Sequence, residues 1–180
     1  LKNATAFSVF ANGGKKIDSY YINKIVDRSG NVVFKKKDSQ PAQVIDQRVA
    51  FIIKDILQEA GRRGTAKKIK ELERKDFSGK TGTTNEAEST WFTGFNDSFV
   101  TTVWVGFDHP KSLGNREFGS SIALPIWLDF IKNNLEEIPL NNSIPPEGIV
   151  AVKIDKTTGK RVFDDSKNSM FEYYLEEKGP

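Results

Sequence analysis

The stretch that decides the fold is DFSGKTGTTNEAESTWFTGFNDSFVTTVWVGF, residues 76–107. Residues 77–84, 90–95 and 99–107 are rich in Phe, Trp, Thr and Val, and short polar segments separate them. Such runs predict three β-strands joined by tight turns, which form an antiparallel meander. Both faces of the third strand carry apolar side chains, so we expect helices to cover both faces of this sheet.

Helical patterns lie on either side of the meander. From residue 49 to residue 60, apolar side chains recur at spacings of three and four after the N-cap Asp46, and Gly61 is expected to end this helix. Two further helices are predicted over residues 1–11 and 121–135. Together these elements predict an α+β fold, an antiparallel sheet with helices packed on its faces.

Two hairpins are predicted outside the meander. One is formed by β-rich runs on either side of a turn cluster within residues 20–34. The other starts at Ile149 and turns through the segment DKTTG, residues 155–159. The stretch from Asp164 is polar and is expected to be frayed.

Composition excludes several classes of function. The chain has 180 residues, no cysteine and a formal net charge of +3. The lack of cysteine excludes a disulfide framework, Cys-ligated zinc and a thiol nucleophile. Scattered charges of both signs do not indicate a nucleic-acid partner. The longest apolar runs are about five residues, so no membrane segment is predicted in this chain, and no residue pattern indicates a metal site or a cofactor.

Two motifs compete for SGKTGTT, residues 78–84. The tripeptide GKT resembles the end of a phosphate-binding loop, but that motif needs a glycine at the position of Arg74 and a helix directly afterwards. A strand-like run follows instead, which excludes nucleotide binding. The other motif is the Lys-Thr-Gly element, which together with Ser-x-x-Lys and Ser-x-Asn marks serine β-lactamases and penicillin-binding proteins.

The chemistry of acyl transfer explains these residue types. Strand alternation places Thr81 and Thr83 on one face, where their hydroxyls can bind a substrate carboxylate, and sends Lys80 to the other face as a source of positive potential. Gly82 leaves the backbone open to a substrate. The N–H of Thr83 can donate to the oxygen that becomes negative when a serine attacks a carbonyl. We therefore expect Lys80 and the Thr83 N–H to be catalytic.

The wider sequence is similar to the transpeptidase domain of class A, bifunctional penicillin-binding proteins, over about residues 4–162. The similarity is carried by DFSGKTGTTN (76–85), WFTGF (91–95) and VWVGFD (103–108), and it extends to FANGG (10–14), GTA (64–66), ALPIW (123–127) and PEGI (146–149). It implies the fold of penicillin-recognising transpeptidases and serine β-lactamases, with the motif strand at about 76–84. The substrate-binding residues implied are Thr81, Gly82, Thr83, Thr84 and Trp91.

The resemblance also implies an activity. A serine would attack the penultimate D-Ala of a peptidoglycan stem peptide, release the terminal D-Ala and pass the acyl group to an amine of a neighbouring strand. β-Lactam antibiotics, which imitate the D-Ala-D-Ala end, are the second class of ligand implied. The implied location is the extracytoplasmic face of the bacterial inner membrane, with a glycosyltransferase and a membrane anchor upstream of this chain.

The serine itself has no candidate here, because no Ser-x-x-Lys occurs in the chain. The tripeptides at 29–31 and 166–168 match Ser-x-Asn, but we assign the first to a turn and the second to the polar tail. We expect the nucleophile upstream of Leu1, in another half of the same domain that packs against this one. The chain alone is therefore predicted to be inactive.

Three parts of the chain are expected: residues 1–140 as the C-terminal portion of a transpeptidase domain, 141–163 as a hairpin extension and 164–180 as a flexible polar tail. Two alternatives to the transpeptidase stay open. One is a noncatalytic module of the same fold that binds wall peptides, and the other is a serine β-lactamase. The sequence around Trp91 and Trp104 resembles transpeptidases more closely than β-lactamases.

Overall fold

The computed structural model describes residues 1–37, 39–163 and 167–180. The elements found in these ranges are α1 (Lys2–Ala11), β1 (Lys15–Lys16), β2 (Lys24–Val26), β3 (Val32–Lys35), β4 (Ala42–Gln43), α2 (Gln47–Arg63), a 3₁₀ helix (Lys67–Leu72), β5 (Ser78–Thr83), β6 (Ser89–Phe95), β7 (Val100–Gly106), α3 (Ala123–Asn133), a 3₁₀ helix (Leu135–Glu137), β8 (Ile149–Asp155), β9 (Ser169–Leu175) and a last 3₁₀ helix (Glu176–Lys178).

The predicted meander is confirmed as the central sheet. Its strands follow the order β5-β6-β7 and both pairs are antiparallel. The register places Thr81 opposite Phe92, and Phe92 opposite Val103. Residues directly opposite each other share a face of the sheet, so this register fixes which side chains of the three strands lie together.

One face of the sheet carries the main hydrophobic core. Trp127 of α3 is fully buried, and its ring centroid lies 5.5 Å from that of Phe77 and 5.1 Å from that of Phe92. A Cβ atom on Gly94 would lie 2.3 Å from Trp127 Cζ2, so only glycine admits the indole at that position. The 3₁₀ helix Lys67–Leu72 contributes Ile69 and Leu72 to the same core.

The opposite face is covered by α1 and α2. The Phe7 ring of α1 lies 6.0 Å from the Phe95 ring, and the Ser78 hydroxyl donates to the Lys54 carbonyl of α2 at 3.0 Å. Helices therefore pack on both faces, and the predicted α+β fold is confirmed. Cover is incomplete towards the other end of this face, where Trp104 is 44% exposed.

Helix α2 forms as predicted but ends later. The Asp46 side chain accepts a hydrogen bond from the Arg48 N–H and caps the helix start. The expected stop at Gly61 is wrong, because the helix continues to Arg63 and Gly64 is its C-cap. Gly61 is buried instead. A Cβ atom there would lie 3.1 Å from Ile69 Cδ1, so glycine serves close packing rather than termination.

The buried side of α2 also differs from the apolar stripe that predicts the helix. Its buried residues are Ala50, Lys54 and Gly61, whereas Ile56 of the stripe is 57% exposed. Gly61 packs against Ile69 of the 3₁₀ helix, and the Lys54 ammonium is paired with Asp97 and Ser143. Burial of a charged side chain requires such partners.

The other predicted helices and the first hairpin are confirmed. Helix α3 lies within the predicted range 121–135, and Pro125 is in its first turn, where no intrahelical N–H bond is lost. Strands β2 and β3 form the hairpin, with Ile25 opposite Phe34. Both of these strands are exposed throughout.

The expected polar tail over 164–180 is wrong for Ser169–Leu175, which forms strand β9. It pairs with β8 along its whole length, from Ile149 opposite Leu175 to Asp155 opposite Ser169. The predicted hairpin within residues 141–163 is also wrong in its second strand, because the described segment after the turn at 155–159 forms an isolated bridge, between Ile154 and Arg161, and no strand. Aromatic side chains favour the strand, and the Tyr173 ring lies 5.1 Å from that of Phe51 on α2. Residues 164–166 of the expected tail lie outside the described ranges.

A buried carboxylate ties the start of β5 to the chain after α3. Two nitrogens of Arg74 donate to the Asp76 carboxylate at 2.9 and 2.6 Å, and the Asn96 amide donates to it at 2.9 Å. Burial alone would raise the pKa of Asp76, but hydrogen bonds from Arg74, Asn96 and the Asn141 N–H outweigh it and lower the pKa below its ordinary value.

Acid should therefore destabilise the chain partly through Asp76. Because the pKa of Asp76 is lower in the folded chain, its contribution to stability is present above pH ~4 and is lost as the pH falls through the folded pKa. We expect Asp76→Asn to lower the free energy of unfolding at pH 7 and to flatten its decline below pH ~4. Urea unfolding between pH 3 and pH 7 measures this. Asp129→Asn, on the exposed side of α3, is the control and should leave the decline unchanged.

Candidate active site at the free edge of the central sheet

The Lys-Thr-Gly strand lies at an edge of the sheet. Strand β5 pairs with β6 on one side and has no strand on its other side among the described residues. Within β5, Lys80 is exposed and its Nζ donates to the Thr81 carbonyl at 2.8 Å. A backbone edge with unpaired hydrogen-bonding groups is accessible to an extended ligand.

The ladder between β5 and β6 determines where the N–H groups of β5 point. The Thr84 N–H donates to the Ser89 carbonyl at 3.1 Å. In an antiparallel pair, the N–H groups of successive residues point to opposite edges of the strand. The Thr83 N–H therefore points away from β6, to the free edge, as an oxyanion donor requires.

The hydroxyls of Thr81 and Thr83 lie on the core face of the sheet, because Thr81 is opposite the buried Phe92 and Thr83 is opposite Thr90. Both are engaged by neighbouring segments. Thr81 Oγ1 lies 3.1 Å from Thr65 Oγ1, and Thr83 Oγ1 accepts a hydrogen bond from the Gly119 N–H at 3.0 Å. As residues, Thr81 is half-buried and Thr83 is exposed.

Glycine at position 119 allows this approach. Its backbone passes over the Gly82 and Trp91 pair, and a Cβ atom on Gly119 would lie 2.4 Å from the Trp91 carbonyl oxygen and 2.8 Å from that of Gly82. Gly82 has no side chain and that of Trp91 points to the other face, so only backbone lies beneath the loop. The segment around Gly119 therefore forms one wall beside the Thr83 hydroxyl.

The opposite face of the sheet carries Lys80 of β5 and Trp91 of β6. Trp91 lies across from Gly82, and its ring centroid is 6.1 Å from that of Trp104. A Cβ atom on Gly82 would lie 3.2 Å from Trp91 Cβ, a close packing distance. Trp91 is half-buried and lies on the same face of the sheet as Lys80.

Thr84 occupies a different position from the other predicted residues. Its hydroxyl accepts hydrogen bonds from the Glu88 and Ser89 N–H groups, both at 3.0 Å, and so holds the turn between β5 and β6. Thr84 thus shapes the end of the motif strand. Contact between its hydroxyl and a substrate stays a prediction.

Other sequence candidates do not join this site. Ser29 and Asn31 donate backbone N–H groups to Asp27, in the turn between β2 and β3, as predicted. Ser166 lies outside the described residues. Within the described ranges, no group of three His, Asp or Glu side chains could hold a metal ion. No helix among the described residues is long and apolar enough to cross a membrane.

Thr65 and Gly119 were not predicted as site residues. Each comes from a segment distant in sequence that reaches the motif strand only through tertiary packing. In the sequence, the tripeptide GTA, residues 64–66, is marked only by the family resemblance, and no local periodicity singles out Gly119.

Comparison with known proteins finds a matching family and several relatives of this chain. The family model of the penicillin binding protein transpeptidase domain matches residues 1–132, which contain the whole β5-β6-β7 sheet. Penicillin-binding protein 1A of Pseudomonas aeruginosa is 33% identical over an alignment that covers 100% of this chain and 28% of that protein. Penicillin-binding protein 1A of Neisseria gonorrhoeae is 43% identical over 84% of this chain and 19% of that protein. The chain thus spans less than a third of the length of these relatives.

Solved structures show the same fold. The crystal structure of penicillin-binding protein 1A from Haemophilus influenzae matches with a TM-score of 0.84 and 32% sequence identity, over 98% of this chain and 32% of that one. The penicillin-binding protein PonA1 from Mycobacterium tuberculosis matches with a TM-score of 0.61 and 27% identity, over 79% of this chain and 39% of that one.

Proposed function

The chain belongs to the family of penicillin binding protein transpeptidase domains, and from this membership we propose that it forms the Lys-Thr-Gly wall of a serine acyl-transfer site that cross-links peptidoglycan. The observation that carries the proposal is the free edge of β5. There the Thr83 N–H points outward and two threonine hydroxyls lie on one face, while Lys80, from the other face, donates its ammonium to the Thr81 carbonyl.

Each group has a task in the proposed reaction. A serine attacks the carbonyl of the penultimate D-Ala of a stem peptide, and the Thr83 N–H stabilises the oxyanion that forms. The hydroxyls of Thr81 and Thr83 bind the terminal carboxylate of the substrate. The terminal D-Ala leaves, and an amine of a neighbouring strand then attacks the acyl-enzyme and completes the cross-link.

Four more residues complete the substrate side. Lys80 supplies positive potential for the carboxylate and for the proton transfers at the serine. Gly82 has no side chain to block the approach of the substrate backbone, and Trp91, packed on Trp104, lines the cleft with an apolar surface. Thr84 holds the turn that ends the strand.

The nucleophile is proposed to lie in a part of the protein outside these 180 residues, since no serine here is followed by lysine at the third position. The length of the relatives supports this, because the chain covers 28% of the Pseudomonas protein and 19% of the Neisseria protein. We further propose that the complete protein is bifunctional, carries a glycosyltransferase and acts at the outer face of the bacterial inner membrane. β-Lactams would acylate the same serine.

Labelling with a fluorescent penicillin tests the proposal. We expect the complete protein to form a stable adduct at one serine, and the 180-residue chain to remain unlabelled after denaturation. A noncatalytic module would remain unlabelled in both forms. A serine β-lactamase would turn over a chromogenic cephalosporin rapidly instead of holding the acyl group. An adduct on any serine of the isolated chain would contradict the proposed position of the nucleophile.

A further inference from the structure

The side chain of Thr65 lies outside the motif strand but contacts it. Thr65 follows the C-cap Gly64 of α2, and its hydroxyl oxygen is 3.1 Å from that of Thr81. We infer that Thr65 is a positioning residue, which donates its hydroxyl proton to Thr81 and thereby turns the Thr81 proton towards the carboxylate of the bound ligand. This inference rests on the proposed function.

Counting donors and acceptors leads to this assignment. A threonine hydroxyl has one proton to donate and lone pairs that accept, whereas a carboxylate only accepts. When a carboxylate is bound, Thr81 must therefore give its single proton to the ligand. The contact between the two hydroxyls then persists only if Thr65 is the donor. The Thr65 hydroxyl thus donates to a lone pair of Thr81 Oγ1, and the Thr81 proton remains available to the ligand.

The neighbouring hydroxyl has the same arrangement in a fixed form. The Gly119 N–H donates to Thr83 Oγ1 at 3.0 Å, and a backbone N–H can only donate. The Thr83 proton is therefore directed away from Gly119. The two hydroxyls on this face of β5 thus each have a donor from another segment. Thr65, after α2, donates to Thr81, and Gly119, before α3, donates to Thr83.

Packing on both sides of Thr65 holds it in place. A Cβ atom on Gly64 would lie 2.9 Å from the Ala60 carbonyl oxygen, so the chain turns tightly at the end of α2. Ala66 is 1% exposed, and its N–H donates to the same Ala60 carbonyl at 3.3 Å. Thr65 itself is exposed, so its side chain is not needed for the core. Its place beside Thr81 is therefore set by its neighbours.

Thr65→Val in the complete protein tests the inference, because valine keeps the shape and removes the donor. We expect the second-order rate of acylation by benzylpenicillin to fall about 3- to 10-fold, the effect of one neutral hydrogen bond. The methyl ester of benzylpenicillin lacks the carboxylate charge, and its rate should change by less than about 2-fold. Thr65→Ser keeps a hydroxyl donor at this position, so it should react with benzylpenicillin at a rate close to that of the unmodified protein.

A double-mutant cycle with Thr81→Val separates positioning from a general structural effect. If Thr65 acts through Thr81, the second substitution should cost nothing further once Thr81 has lost its hydroxyl. Equal losses for acid and ester, or additive losses in the double variant, would overturn the inference. If Thr65→Val acylates at the unmodified rate, only the positioning role fails. If the unmodified complete protein is not acylated at all, the proposed function fails and this inference fails with it.

Discussion

Replacing Thr83 by proline in the complete protein should slow acylation by benzylpenicillin about 10³- to 10⁵-fold. Proline removes both the hydroxyl and the N–H that points to the free edge of β5. Loss of an oxyanion donor costs on the order of 10²- to 10³-fold in rate. Loss of a hydrogen bond to a charged carboxylate adds about 10- to 100-fold. Second-order acylation rates measure the combined effect.

Thr83→Ala separates the two contributions, because alanine removes the hydroxyl and keeps the N–H. We expect the rate to fall by only about 10- to 100-fold. Thr83→Ser keeps both groups, including the acceptor for the Gly119 N–H, and serves as the matched control. If Thr83→Ala acylates at the unmodified rate, this strand does not line the cleft as proposed.

Folding should survive the proline substitution, which keeps the experiment interpretable. The N–H of Thr83 is not part of the ladder with β6, and proline is tolerated in edge strands where its nitrogen faces outward. A melting temperature close to that of the unmodified protein would show that the loss of rate is local. A collapse in stability with no change in the rate of the folded fraction would contradict the oxyanion role.

Trp127→Ala should lower the free energy of unfolding of the chain by about 3–5 kcal/mol, the usual cost of emptying a buried aromatic site. The indole is fully buried, contacts the rings of Phe77 and Phe92 and sits on Gly94. Backbone and side chains around it cannot collapse into the space, because α3 is held by other core residues. Urea unfolding at pH 7 measures the change.

Two further tryptophan variants sharpen this test. Trp104→Ala is the control, because Trp104 is 44% exposed and its removal should cost much less. Trp127→Phe keeps most of the apolar volume and removes an indole N–H that has no hydrogen-bond partner in the described part of the chain, so it should cost less than Trp127→Ala. Equal losses for Trp127→Ala and Trp104→Ala would show that the core does not centre on α3 and the sheet.

Much of the fold could be predicted from local periodicity in the sequence. Strands alternate with a period of two and helices repeat every 3.6 residues, and both signals are written in neighbouring residues. The meander from Ser78 to Gly106, the start of α2 and the position of α3 followed from such signals. The identity of the Lys-Thr-Gly strand, and the alternation that separates Lys80 from Thr81 and Thr83, were also available from the sequence.

Contacts between segments that are distant in sequence could not be predicted from local periodicity. Strand β8 could pair with any strand that reaches its edge. No local sequence pattern indicates that its partner is Ser169–Leu175. The burial of Gly61 rather than Ile56 depends on where the 3₁₀ helix with Ile69 packs against α2. Periodicity predicts that a helix has an apolar face, but the partner decides which residues are buried.

The same distinction between local pattern and tertiary packing applies to the candidate site. The sequence by itself determined the residue types of the motif strand, because their chemistry and their alternation are properties of consecutive residues. Only the tertiary structure decided that the Thr83 N–H faces an open edge, and that Thr65 and Gly119 stand behind the two hydroxyls. Such contacts join residues 16 and 36 positions apart, so they exist only once the segments that carry them have packed together.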